Sequence, residues 1–141
     1  MRNLLLLIVL SLTAMAGDLR LEDNSFQTVA YIRQDGRVED SSFQTLGYIR
    51  DDGRVEDATF HLLGHMRDGR IENGSFQVLD YIESDGRMTD PSFSCVAKIA
   101  DDGTVEDAQF NVILYSEGTD ADQTAKIAAY LVFFSDLLNG E

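Results

Sequence analysis

The chain has 141 residues, with 25 acidic and 11 basic side chains, a formal charge of −14, one cysteine and no tryptophan. Such acidity repels nucleic acid phosphates and anionic membrane surfaces, so nucleic acid is excluded as a partner. The lone Cys95 excludes an internal disulfide, which leaves packing to supply the stability.

The first sixteen residues carry one cation, Arg2, then an apolar run from Leu4 to Leu12 and a small-residue stretch ending at Ala16. These are the three parts of a secretory signal peptide, with cleavage expected near Ala16. The run is short for a membrane span. Residues 17–141 are therefore expected to be exported, to the periplasm or the extracellular space.

From there the chain repeats. Asp-Gly recurs at Asp35-Gly36, Asp52-Gly53, Asp68-Gly69, Asp85-Gly86 and Asp102-Gly103, at intervals of 17, 16, 17 and 17 residues. Asp-Gly between β-prone segments predicts a tight hairpin turn, because glycine accepts the positive φ that such turns require. Four copies have an extra residue before Asp-Gly and predict a three-residue loop with left-handed glycine. The third, Arg67-Asp68-Gly69-Arg70, predicts a two-residue loop, so its missing residue falls in the turn and strand register survives. Second turns are expected at Asp40-Ser41-Ser42, Asp57-Ala58-Thr59, Asn73-Gly74-Ser75 and Asp90-Pro91-Ser92, where the Asp or Asn side chain can accept from the backbone ahead.

Each second turn is followed by a phenylalanine: Phe26, Phe43, Phe60, Phe76, Phe93 and Phe110. Strand alternation from Phe43 places Phe43, Thr45, Gly47 and Ile49 on one face and Gln44, Leu46, Tyr48 and Arg50 on the other. We expect Phe and Ile to form the inner layer with Val38, Val55, Ile71, Met88 and Val105, while Leu/Val and Tyr cover a partly exposed second surface. A bulge would undo that assignment. Two short strands per unit are too few for a propeller blade. Five hairpins at 17–116, with a closing half-unit from Val105 to Tyr115 that pairs with Leu19 to Glu22, fit a closed ring; an open β-solenoid is the alternative.

Residues 117–141 read as a linker and a helix over about 119–139, part of the same domain. Thr119 or Asp120 would be the N-cap, acids would fill the first turn, and Gly140 would follow the end. Ile127 to Phe134 is apolar on every side, so the helix should be buried against or inside the ring.

Tyr48-Ile49-Arg50-Asp51-Asp52-Gly53-Arg54-Val55-Glu56-Asp57 resembles the Gly-x-Ile-x-x-Asp-Gly-x-Val-x-Asp unit of the five-fold β-flower proteins, which are small exported bacterial proteins. The tail, Lys126-Ile127-Ala128-Ala129 followed by Phe133-Phe134, is similar to that family's basic, alanine-containing, phenylalanine-rich ending. The resemblance implies a mainly β, five-petalled ring of hairpins with a C-terminal helix, and no established activity. The strand glycine of the unit stands here only at Gly47 and Gly64, with Ala30, Asp80 and Ala97 in its place elsewhere.

Candidate chemistry is sparse. His61 and His65 fall on a strand, where four residues span roughly 13 Å, too far for one metal ion. The acidic pairs such as Glu39-Asp40 and Glu56-Asp57 recur in near-identical settings, whereas a catalytic pair needs unequal ones. Cys95 and the serines lack the context of a nucleophile. No catalytic residue, metal or cofactor is expected. A possible ligand or partner surface is the set of tyrosines at one repeat position, Tyr31, Tyr48, Tyr81 and Tyr115, with the arginines that bracket three adjacent hairpin tips: Arg33, Arg37, Arg50, Arg54, Arg67 and Arg70. Cross-strand pairing with acidic neighbours is the structural explanation for those arginines. The expectation is a non-catalytic exported binding or protein-interaction module, with a glycan or a surface protein as ligand. A structural or assembly subunit is the alternative, and a glycan-active hydrolase is less favoured.

Overall fold

The computed structural model describes residues 17–118 and 122–138. The expected signal peptide, the cap at Thr119 or Asp120 and the stop at Gly140 lie outside them. Twelve strands come first: β1 Leu19–Glu22, β2 Thr28–Ile32, β3 Arg37–Asp40, β4 Thr45–Ile49, β5 Arg54–Asp57, β6 Leu62–Arg67, β7 Arg70–Asn73, β8 Val78–Ile82, β9 Arg87–Thr89, β10 Cys95–Ile99, β11 Thr104–Asp107 and β12 Val112–Glu117. A helix, α1, follows at Gln123–Phe133.

Every strand is antiparallel to the next, and β12 pairs with β1, so the sheet closes into a barrel without a free edge. The ring is closed, not an open solenoid. The half-unit acts as the repeat implied: Leu21 lies opposite Ser116 and Arg20 opposite Glu117, with which it ion-pairs. One rim carries the five Asp-Gly turns. The other carries six turns, each holding one of the six phenylalanines.

The Asp-Gly turns match the expected lengths. The Arg33 carbonyl accepts the Gly36 N–H at 2.9 Å, and Gly36 has φ 92. In the shortened copy Asp68 and Gly69 both have positive φ, 52 and 73, as a two-residue primed turn requires.

The inner layer consists of the expected aliphatics, with Val38, Val55, Ile71, Met88 and Val105 fully buried, together with Ile32, Ile49 and Ile99. The phenylalanines are not in it. Each lies in the turn, not in the strand, with φ between 63 and 70, and all six are exposed. Strand alternation therefore does not reach them. The register shift between Val38 and Glu39 reflects a bulge in β4, and equivalent shifts mark the other hairpins of this rim. The bulged Leu46 thereby packs against the core instead of facing out.

α1 fills the barrel. Ile127, Ala128, Ala129, Tyr130 and Leu131 are buried among the inward strand residues. Its start, Asp122 to Lys126, lies by Gly53 and Met66 at the Asp-Gly rim, and its end, Tyr130 to Phe134, by Val29 and Leu46 at the other. The helix thus runs along the barrel axis. Two strand glycines make room for its aromatic end: a Cβ on Gly47 would lie 2.5 Å from the Phe134 ring, and one on Gly64 2.6 Å from the Phe133 ring.

The helix is shorter than the composition suggests. Asp122 is the N-cap, no acid occupies the first turn, and the helix stops at Phe133, with the Ser135 hydroxyl donating to the Leu131 carbonyl. Barrel depth explains the limit. Eleven helical residues span about 16 Å, comparable to a five-residue strand, and past Phe133 the chain turns at the rim, where Phe134, Leu137 and Leu138 still pack against the core.

Candidate functional site

The six phenylalanine turns share one construction. In the first, the Asp23 carbonyl accepts the Phe26 N–H at 3.0 Å, and the Asp23 N–H donates to the Gln27 carbonyl at 2.9 Å. The Asp23 Oδ1 accepts two more backbone N–H groups, from Ser25 and Gln27. Asp40, Asp57, Asn73, Asp90 and Asp107 repeat the pattern. The expected side-chain bonding ahead is therefore present in every copy. It holds the carboxylates of Asp57 and Asp107 below their ordinary range, chiefly through the backbone N–H of His61 and of Asn111 respectively.

The consequence is a phenylalanine in the left-handed region, which costs an L-residue about 1–2 kcal/mol each time. These side chains are 54–81% exposed. Five of the six are turned back onto the outward residue of a neighbouring hairpin. Phe43 stacks on Tyr31 at 5.3 Å, Phe60 on Tyr48 at 5.1 Å, Phe93 on Tyr81 at 5.5 Å, and Phe26 on Tyr115 at 4.8 Å across the closing seam. His65 takes the tyrosine position against Phe76 at 4.3 Å. The sixth copy has Lys98 there, and Phe110 is the most exposed of the set.

The arginines divide into two roles. Arg33 lies 4.5 Å from the Tyr31 ring centroid, Arg50 4.4 Å from Tyr48, and Arg67 5.1 Å from Phe76. Each also binds a buried glutamate at 2.8 Å: Glu39, Glu56 and Glu72 respectively. Arg37, Arg54 and Arg70 approach the same three glutamates from the other side, at 2.8, 3.4 and 3.5 Å. Burial alone would lower the Arg33 guanidinium, but its bonds to Glu39 and Asp18 outweigh that and raise it. The structure thus brings Tyr31, Tyr48, Arg33, Arg37, Arg50, Arg54, Arg67 and Arg70 together on three adjacent hairpins. Tyr81 and Tyr115 lie beyond them, with Glu83 and Glu117 where the others have arginine.

His65 is on β6, but His61 precedes it at the end of a turn, its Nδ1 2.7 Å from the Thr59 hydroxyl. Among the described residues no three His, Cys, Asp or Glu side chains converge as a metal site. Asp80 is unusual. It lies opposite the inward Ile71, where other copies have Gly47 or Gly64, and burial followed by the nearby Asp90 pushes its carboxyl up to about 6.

Sequence reasoning missed the phenylalanines as surface residues. Their signal was present: Phe43 follows Asp40 at the same offset by which Gly36 follows Arg33, so both rims build one turn and place a residue at its left-handed position.

A closed ring of repeated hairpins around an axial helix defines a repeat-built β-barrel, with a ring of aromatic stacks at one end. The chain belongs to the family described as 5-fold beta-flower protein, which it matches over residues 16–134. Neither a curated protein nor a solved structure matches it.

Proposed function

We propose that this is a non-catalytic binding module, exported by its N-terminal segment, whose working surface is the phenylalanine rim. One observation carries the reading: six apolar side chains are kept in a strained backbone conformation and yet stay more than half exposed. Packing alone does not call for that, and strain retained at the surface points to use of the surface. The stacks hold five of the six rings in one orientation, so little side-chain freedom is left to lose there on binding. The Tyr and Arg layer lies beneath the rings as their support.

The test uses labelled residues 17–141 on an array of glycans and purified proteins, beside the triple variant Phe43→Gly/Phe60→Gly/Phe76→Gly. Glycine suits the left-handed position, so the variant should keep its fold, checked by circular dichroism. Binding that the variant loses supports the module. Binding that survives in the variant, or no binding at all, overturns it. The assembly alternative would join rims of two copies and predicts concentration-dependent light scattering that the same variant abolishes.

A further inference from the structure

The chemistry of the rim narrows the ligand. On a chain of charge −14, the two residues at the tip of each phenylalanine turn carry no charge: they are Asn, Ser, Ala, Thr, Gly, Pro and Gln throughout. The Asp at the head of each turn, Asn73 in the fourth, has its Oδ1 occupied by two backbone N–H groups, as at Asp40 and Asp90. Immediately after each phenylalanine comes an exposed hydrogen-bonding residue, an uncharged amide or hydroxyl at Gln27, Gln44, Gln77, Ser94 and Asn111 and an imidazole at His61. Some are already oriented, the Gln77 Oε1 accepting from the Asn73 Nδ2 at 3.0 Å and the Asn111 Nδ2 donating to Asp107 at 3.3 Å.

Each turn therefore pairs one flat apolar ring with one hydrogen-bonding side chain, six times around a circle, and in five of them that side chain is a neutral amide or hydroxyl. Successive rings lie two strands apart, about 10 Å along the wall. A protein interface favours a contiguous apolar centre with a polar rim around it. Here apolar and polar elements alternate instead. A sugar ring has the matching alternation: a C–H face that lies on an aromatic ring, and equatorial hydroxyls that exchange hydrogen bonds with amides. The arginines, which would have favoured an anion, are held by Glu39, Glu56 and Glu72.

From this we infer that the rim binds a neutral glycan polymer, engaging several turns of one strand at once. The inference rests on the rim being the working surface. Each contact is weak, and affinity comes from effective concentration once the first ring is engaged.

Affinity electrophoresis of residues 17–141 in native gels tests it, with neutral glucans, a galactomannan and a xylan as probes, and carboxymethylcellulose as the anionic counterpart of a neutral glucan. The expected result is retardation in at least one neutral polymer, weakened by roughly tenfold or more in the triple variant Phe43→Gly/Phe60→Gly/Phe76→Gly and only a few-fold by Phe43→Gly alone. Retardation confined to carboxymethylcellulose, or equal in wild type and triple variant, overturns the inference. No retardation in any neutral polymer, while the variant still loses a protein partner on the array, overturns the glycan and leaves the binding rim standing. No rim-dependent binding in either assay overturns both.

Discussion

The two rims of the barrel reverse the chain through the same hydrogen-bonded turn, the shortened Asp68-Gly69 copy apart, and fill its left-handed position oppositely, with glycine at one end and phenylalanine at the other. At the glycine rim the choice is dictated twice. Gly53 has φ 94, and a Cβ there would lie 2.2 Å from the Met66 carbonyl oxygen, because the turn docks edge-on against the next hairpin, where the Met66 N–H donates to the Gly53 carbonyl at 2.7 Å. At the other rim nothing in the turn calls for phenylalanine, and glycine would relieve about 1–2 kcal/mol per copy. The glycine rim shows what folding requires, and the phenylalanine rim shows what remains once folding has been satisfied.

The largest effect should come from breaking the glycine rim. Gly53→Ala combines left-handed strain with a backbone collision and should lose about 3 kcal/mol or more, measured by urea denaturation. Gly69→Ala is the control. Its φ is 73 and its nearest neighbour, the Ile82 carbonyl oxygen, would lie 3.1 Å away, so it should lose only about 1–2 kcal/mol. Equal losses at the two sites would remove the close approach as a cause.

A smaller effect should come from Asp80, which faces the interior beside the head of a phenylalanine turn. The β8–β9 seam pairs only Tyr81 with Thr89 and Ile82 with Met88, whereas β2–β3 also pairs Ala30 with Asp40, the counterpart of Asp80 with Asp90. From β7 the apolar Ile71 lies opposite Asp80, while Glu72 is engaged by Arg67 and Arg70; across the seam stands Asp90. No hydrogen bond or ion pair compensates Asp80 among the described residues. Its folded carboxyl titrates at about 6, above the ordinary value of 3.8, so the folded state holds the proton more tightly. Its contribution is therefore intact below about pH 4 and is lost as pH rises through about 6. Asp80→Ala, which restores the residue found at Ala30 and Ala97, should leave stability unchanged at pH 4. At pH 7 it should gain up to about 2 kcal/mol, less than the bare shift implies because the site is only partly buried. A gain that does not grow with pH would show that the charge is not what loosens this seam.

The glycine rim was legible in the sequence and the phenylalanine rim was not, for a physical reason. Asp-Gly announces a positive φ because glycine is the residue that accepts it readily, so loop lengths, the register of the shortened copy and closure by β12 could all be read from spacing. Phe43 announces a buried strand position, since large apolar side chains favour the interior, and only its offset from Asp40, the same as that of Gly36 from Arg33, points to the turn position where it stands at φ 66. The helix was legible as buried but not in length, because its end is set by the depth of the barrel. The tyrosines and arginines were found as a surface set, yet the rings that cover them were assigned to the core.

The smallest effects are the sharpest comparison within the phenylalanine rim. Phe110 has φ 67 and no aromatic partner among the described residues, so Phe110→Gly removes strain and loses no stack. After the added freedom of glycine in the unfolded chain, it should stabilise by about 0.5–1 kcal/mol. Phe43→Gly gains the same relief but gives up its stack on Tyr31 and its contact with Arg33, together about 0.5–1.5 kcal/mol, and should fall near zero or slightly below. Thermal melts of the two variants side by side would separate them by a few degrees in opposite directions from wild type. Losses of several kcal/mol in both would mean the rings hold the barrel together, and their exposure would then need no partner to explain it.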